Sequence, residues 1–124
     1  MNIYNLLGKD KNVEVLIYGQ DFDDKPIKLS DILYTNKEIA IMGKVESFDT
    51  LAIRNNVTIL IITLTDFDTT FSVKMFLKNY VSPNIIEIIK GYPILKVKGA
   101  TVIDKSDDTL KMGCISGIKL ITKL

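Results

Sequence analysis

Between residues 38 and 121 this chain reads strand, strand, strand, helix, strand, strand, and that order constrains its fold more than any other feature. Three runs of strand-forming residues occupy 38–76, broken only by Arg54-Asn55-Asn56 and by Asp66-Phe67-Asp68-Thr69. One short helix signal covers 82–90, and two further strands follow over about 92–103 and 109–121. The order fits an all-β protein, a five-stranded Greek-key barrel with one short α-helix between its third and fourth strands. A barrel of this kind usually grips its ligand across the face of its second and third strands.

Local chemistry supports each element. Ile39, Ile41, Gly43 and Val45 alternate onto one face of the first barrel strand, with Glu38, Lys44 and Glu46 on the other. Gly43 permits the sharp coil or bulge that closure of a barrel needs. Asn55-Asn56 tolerates left-handed backbone angles and turns the chain into a β-branched second strand. Asp66 and Asp68 are read as hairpin residues that cap free amides, in preference to a metal pair, because no third carboxylate or basic residue accompanies them. Ser82-Pro83 opens the helix, Gly91 stops it, and Ile85, Ile86, Ile88 and Ile89 form a broad apolar face expected to plug the barrel.

Upstream, Gly8-Lys9-Asp10-Lys11 is a polar turn and 13–19 a short strand. The acidic run Asp21-Phe22-Asp23-Asp24 lacks a full calcium ligand set and reads as a solvated turn. Residues 27–33 lead into the barrel, with one helical turn near Leu29-Ser30-Asp31-Ile32. The expected division is an N-terminal extension over 1–36 and the barrel over 37–124.

Composition narrows the function. The 124 residues are 47% hydrophobic and 25% charged, enough for one compact core. A net charge of +1 means that any attraction for phosphate is local, weak or shared with a neighbouring domain. There is one cysteine, Cys114, and no histidine. That excludes an internal disulfide, Cys/His zinc sites and histidine-based nucleophilic pairs. Cys114 lies in the apolar last strand and reads as a buried structural thiol. No apolar run approaches the roughly 18 residues of a membrane span, and 1–13 has no signal-peptide layout. A cytoplasmic, monomeric domain without cofactors or metal is expected.

The residues then become more specific. Gly43-Lys44-Val45, Ile53-Arg54, Leu64-Thr65-Asp66-Phe67 and Ser72-Val73-Lys74-Met75-Phe76 follow one another, with Lys90-Gly91 and Lys96-Val97-Lys98-Gly99 further on. Together they resemble the oligonucleotide-binding (OB) domain of the PolC-type DNA polymerase III alpha subunit of low-GC Gram-positive bacteria. Ile17-Tyr18-Gly19 and 27–32 resemble that family's lead-in, so the resemblance spans about 15–121. Two loops depart from the pattern: Arg54-Asn55-Asn56 is short, and Asp104-Lys105-Ser106-Asp107-Asp108 is acidic. Both positions normally help an OB barrel hold nucleic acid.

The resemblance implies a non-catalytic segment of a much larger polymerase and exonuclease, whose catalytic carboxylates lie in other domains. Its partners would be single-stranded DNA, bound weakly, and neighbouring polymerase domains. Strand alternation puts Ile61, Thr63 and Thr65 outward on the second strand, and Ser72, Lys74 and Phe76 outward on the third. Lys44 and Arg54 flank that face, and Lys96 and Lys98 extend a basic track. Phe76 either stacks on bases or covers a barrel end. The lysines either follow phosphates or protect strand edges. Arg54 suits a phosphate contact on the first loop. A protein-interaction or spacer module that touches no DNA is the alternative, favoured by the near-neutral charge and Ile61.

Overall fold

The computed structural model describes residues 12–33, 35, 38–78 and 82–123. Strand β1 is Asn12–Gly19, β2 Glu38–Ile53, β3 Val57–Thr65 and β4 Thr70–Lys78. Helix α1, Ser82–Ile89, precedes β5 (Ile94–Asp104) and β6 (Thr109–Lys123). The strands lie in the order β1-β6-β4-β3-β2-β5, and a further β5–β6 pairing joins β2 through β6 into a ring of five. This is the OB-type barrel, with α1 between its third and fourth strands. The first strand lies outside the ring, antiparallel to β6.

Turn chemistry explains the hairpins. Asn55 and Asn56 both take left-handed angles (φ 64° and 58°) between the paired Ile53 and Val57. At the next turn Asp66 Oδ1 accepts from the amides of Asp68 (2.9 Å) and Thr69 (2.7 Å), so the side chain caps the hairpin. Gly43 lies where β2 passes from β5 to β3, for Lys44 pairs with both Ile94 and Thr65. A Cβ on Gly43 would meet the Leu64 Cβ at 2.8 Å, so the close approach of two strands requires glycine there. The bulge itself falls just after, between Val45 and Ser47.

Leu60, Ile62, Leu64, Val73, Leu95, Val97, Met112 and Ile118 fill the barrel and are fully buried. Each such side chain contributes roughly 1.5–3 kcal/mol by leaving water. Ile85 and Ile89 of α1 join the same core, as does Leu29 from the 3₁₀ turn Leu29–Asp31. Gly91 follows the helix, but the left-handed residue there is Tyr92 (φ 51°), whose amide bonds to the Ile89 carbonyl. The ring is thinnest between β4 and β6, a parallel contact with one registered pair, Val73 and Met112.

From β1 the chain runs as a strap over the outside of the barrel. The Gln20 amide donates to the Ser116 carbonyl and that of Ile27 to the Ala40 carbonyl, both at 2.9 Å. Phe22 is buried beneath this strap, against Gly117, where a Cβ would meet its ring at 2.9 Å. The turn expected at Gly8-Lys9-Asp10-Lys11 and the Ser82 capping side chain lie outside the described residues and side chains.

One expectation is corrected. Cys114 is exposed, not buried. In β6 the register jumps from the Lys98–Gly117 pair to the Ala100–Gly113 pair, so extra residues bulge out. Cys114 sits in that bulge at φ 45°, and the bulge turns it off the inward face.

Candidate functional site

Burial alternates along β3 and β4, which settles their register. Leu60, Ile62 and Leu64 point inward from β3, and Val73, Met75 and Leu77 from β4. The opposite side chains form rows across three strands, because directly paired residues share a face. One row is Leu51–Ile59–Phe76, the next Asp49–Ile61–Lys74, the next Ser47–Thr63–Ser72. Phe76 is 60% exposed and Leu51 61%, while Ile61 is half-buried. Arg54 stands exposed at the tip of the β2–β3 hairpin and has no ion-pair partner among the described residues.

The structure therefore brings Arg54, Ile61, Thr63, Ser72, Lys74 and Phe76 onto one surface. Thr65 is instead buried and accepts the Phe67 amide at 2.9 Å. Leu51, Ile59 and Asp49 also belong to the surface. Sequence reasoning passed over them, although Asp49, Leu51 and Ile53 fall at every second position of β2 and offered the signal.

Lys74 does not stand free. Its Nζ lies 3.0 Å from Asp104 Oδ2, across the thin β4–β6 seam, and 5.9 Å from the Phe76 ring centroid. Asp104 also takes Lys111 (3.2 Å) and, on Oδ1, the Ser106 amide and hydroxyl. The Ser106 amide, then Lys74 and the Ser106 hydroxyl, hold the Asp104 carboxyl far below the usual carboxylate range. Asp107 is lowered too, chiefly by its 2.6 Å bond from Lys111. Burial acts to lower Lys111, but hydrogen bonds to Asp107 and Asp104 prevail and its pKa is raised. Beside this network runs a groove of about 500 Å³ lined by Phe76, Ile103, Lys105 and Cys114, among others.

Lys96 and Lys98 lie elsewhere, on the outer face of β5 beside β6. Glu14 of β1 pairs with Lys96 (3.4 Å), and Asp24 of the strap with Lys98 (3.1 Å). Lys119, directly opposite Lys96, is paired with Asp21 at 2.8 Å, and both ammonium groups lie within 6 Å of the Phe22 ring. The hydrogen bond from Lys119 lowers the Asp21 pKa and raises that of Lys119. Lys44 is placed at another end of the barrel, donating to the Tyr92 carbonyl at 2.8 Å. Among the described residues no three acidic or cysteine side chains gather as a metal site, and no helix is long and apolar enough to cross a membrane.

No family model matches the chain. The chain resembles a PolC-type DNA polymerase III from Halalkalibacterium halodurans, with 26% identity over 96 residues. That match covers 77% of this chain and 7% of the polymerase, so the chain spans only a small part of that relative's length. In fold it is similar to RecG in a structure of RecG bound to a three-way DNA junction. The TM-score is 0.58 and the identity 20%, over 81% of this chain and 13% of that one.

Proposed function

We propose that this chain is a non-catalytic OB module that contacts single-stranded DNA across the outer face of β2, β3 and β4, as part of a larger replication enzyme. The observation that carries the reading is Phe76, largely exposed on the outer row Leu51–Ile59–Phe76, with Arg54 at its rim bearing no ion-pair partner among the described residues. An exposed ring offers a base a stacking platform, and an arginine offers a phosphate a planar fork. The polymerase relative and the DNA-bound RecG, by their names, support contact with DNA in general. Phe76, Leu51, Ile59 and Ile61 would meet bases, Arg54 a phosphate, and Thr63 and Ser72 polar edges of the strand.

Affinity should be weak, micromolar or poorer, because few cations on this face are free to release counterions. Titrating labelled single-stranded DNA by fluorescence anisotropy at two salt concentrations tests the reading. Nanomolar binding at moderate salt would show a much larger site than this face offers, and no binding at low salt would remove the reading.

The exposed apolar row Leu51–Ile59–Phe76 supports a second reading, in which the face docks another protein domain. Apolar docking persists in salt, whereas DNA binding weakens.

A further inference from the structure

Two bulky residues of this chain are held at left-handed backbone angles beside the same cleft. Phe67 (φ 76°) sits in the β3–β4 turn and Tyr92 (φ 51°) between α1 and β5. For aromatic residues such angles are outliers, and strain of this kind persists where surrounding structure imposes it, often at ligand sites. Here the surroundings do impose it. Thr65 Oγ1 holds the Phe67 amide, and the Tyr92 amide is fixed on the last turn of α1.

Neither ring is used to fill the core, for Phe67 is 44% exposed and Tyr92 47%. Between them opens a cleft of about 450 Å³, with Lys44, Glu46 and Thr65 on its walls. Lys44 Nζ is 5.7 Å from the Tyr92 ring centroid and gives one bond to the Tyr92 carbonyl. An ammonium carries three donors, so others remain to be offered. Phe48 packs near Tyr92, their ring centroids 6.0 Å apart and the rings tilted at 51°.

The cleft continues the face already described. Thr65 is six residues along β3 from Ile59, the partner of Phe76, which is roughly 20 Å of strand. We propose that the Lys44–Phe67–Tyr92 cleft is a second stacking subsite for the same single strand, taking a base against the aromatic rings and its phosphate on Lys44. The inference rests on the single-stranded-DNA reading and extends it to a second, separate contact. Glu46 supplies an acceptor for the amino group of a base.

The test uses the 124-residue chain and labelled oligodeoxycytidylates of roughly 4 and 16 nucleotides, whose bases carry an amino group, over the range of site sizes for one OB barrel. Phe67→Asn should keep or raise the melting temperature, since asparagine tolerates the left-handed angle. It should weaken binding of the long oligonucleotide about 5- to 150-fold, the loss of one stacked base, and leave the short one near the parent value. Lys44→Met should flatten the salt slope for the long oligonucleotide by about 0.7, one phosphate on a single strand. If Phe76→Ala weakens binding while Phe67→Asn and Lys44→Met both bind like the parent, the subsite is overturned and the reading of the face stands. If the parent binds neither oligonucleotide, the reading itself fails and the subsite with it. If Phe67→Asn lowers the melting temperature, the ring is holding the fold, and the Lys44→Met slope alone decides.

Discussion

The outer face of β2–β4 and the outer face of β5–β6 are made from the same alternating strands, yet they have opposite surfaces. On the first, Phe76 and Leu51 are open to solvent and Arg54 has no ion-pair partner among the described residues. On the second, Lys96, Lys98 and Lys119 are each tied to an acid brought by β1 or the strap, around the buried ring of Phe22. Lys96 and Lys119 face each other directly, and like charges so placed are destabilising without counterions. The comparison teaches that a lysine on a strand is not by itself part of a basic track. What matters is whether its counterion is a dissolved ion or a tethered carboxylate. Only the dissolved one is released to bulk when phosphate binds.

The largest test of the contrast is a pair of phenylalanines. Phe22→Ala removes a buried ring and should cost about 3–5 kcal/mol of stability in urea unfolding. Phe76→Ala should change stability by no more than about 0.5 kcal/mol. In binding the order reverses: Phe76→Ala should lose roughly 1–3 kcal/mol toward single-stranded DNA with its salt slope unchanged. Equal unfolding costs for the two variants would erase the distinction between the faces.

A smaller effect is expected at the seam. Asp104→Asn keeps the Oδ1 acceptor for Ser106 and leaves Lys111 with Asp107, so it frees Lys74 alone. Binding should then gain about 0.7 in the steepness of its salt slope, one phosphate on a single strand. In a Lys74→Met background that gain should vanish. Arg54→Ala should flatten the parent slope by up to about the same amount.

The smallest effect is in pH. Asp21, Asp104 and Asp107 have folded pKa values below their ordinary 3.8, so the stability they contribute is present above that value and lost as pH falls below it. Lys111 and Lys119 are raised above 10.5, so their share is complete below 10.5 and lost as pH rises through the raised values. Asp104→Asn should make the acid limb of stability against pH shallower, as read from urea melts between about pH 2 and pH 5. An unchanged limb would mean the carboxyl titrates alike folded and unfolded.

What was legible in the sequence was local. The strand order, the left-handed Asn55-Asn56 and the Asp66 cap all depend on neighbours within a few residues, and so does the outward register of Ser72, Lys74 and Phe76. What was not legible depends on distance along the chain. Lys98 meets Asp24 across 74 residues, and Lys74 meets Asp104 across 30, so no spacing rule announces either pair. Cys114 was misread for a related reason. Alternation assumes an unbroken ladder, and the bulge opposite Gly99 breaks it.

The antiparallel pairing of β1 with β6 has a mechanical consequence. Asn12, where β1 begins, is the rung partner of Lys123, where β6 ends. A pull applied through those two ends would load the ladder one rung at a time, as a zipper is opened, because its bonds run across the strands. The outer strand would peel away at low force, while the five-strand ring, held by its other pairings, kept its shape.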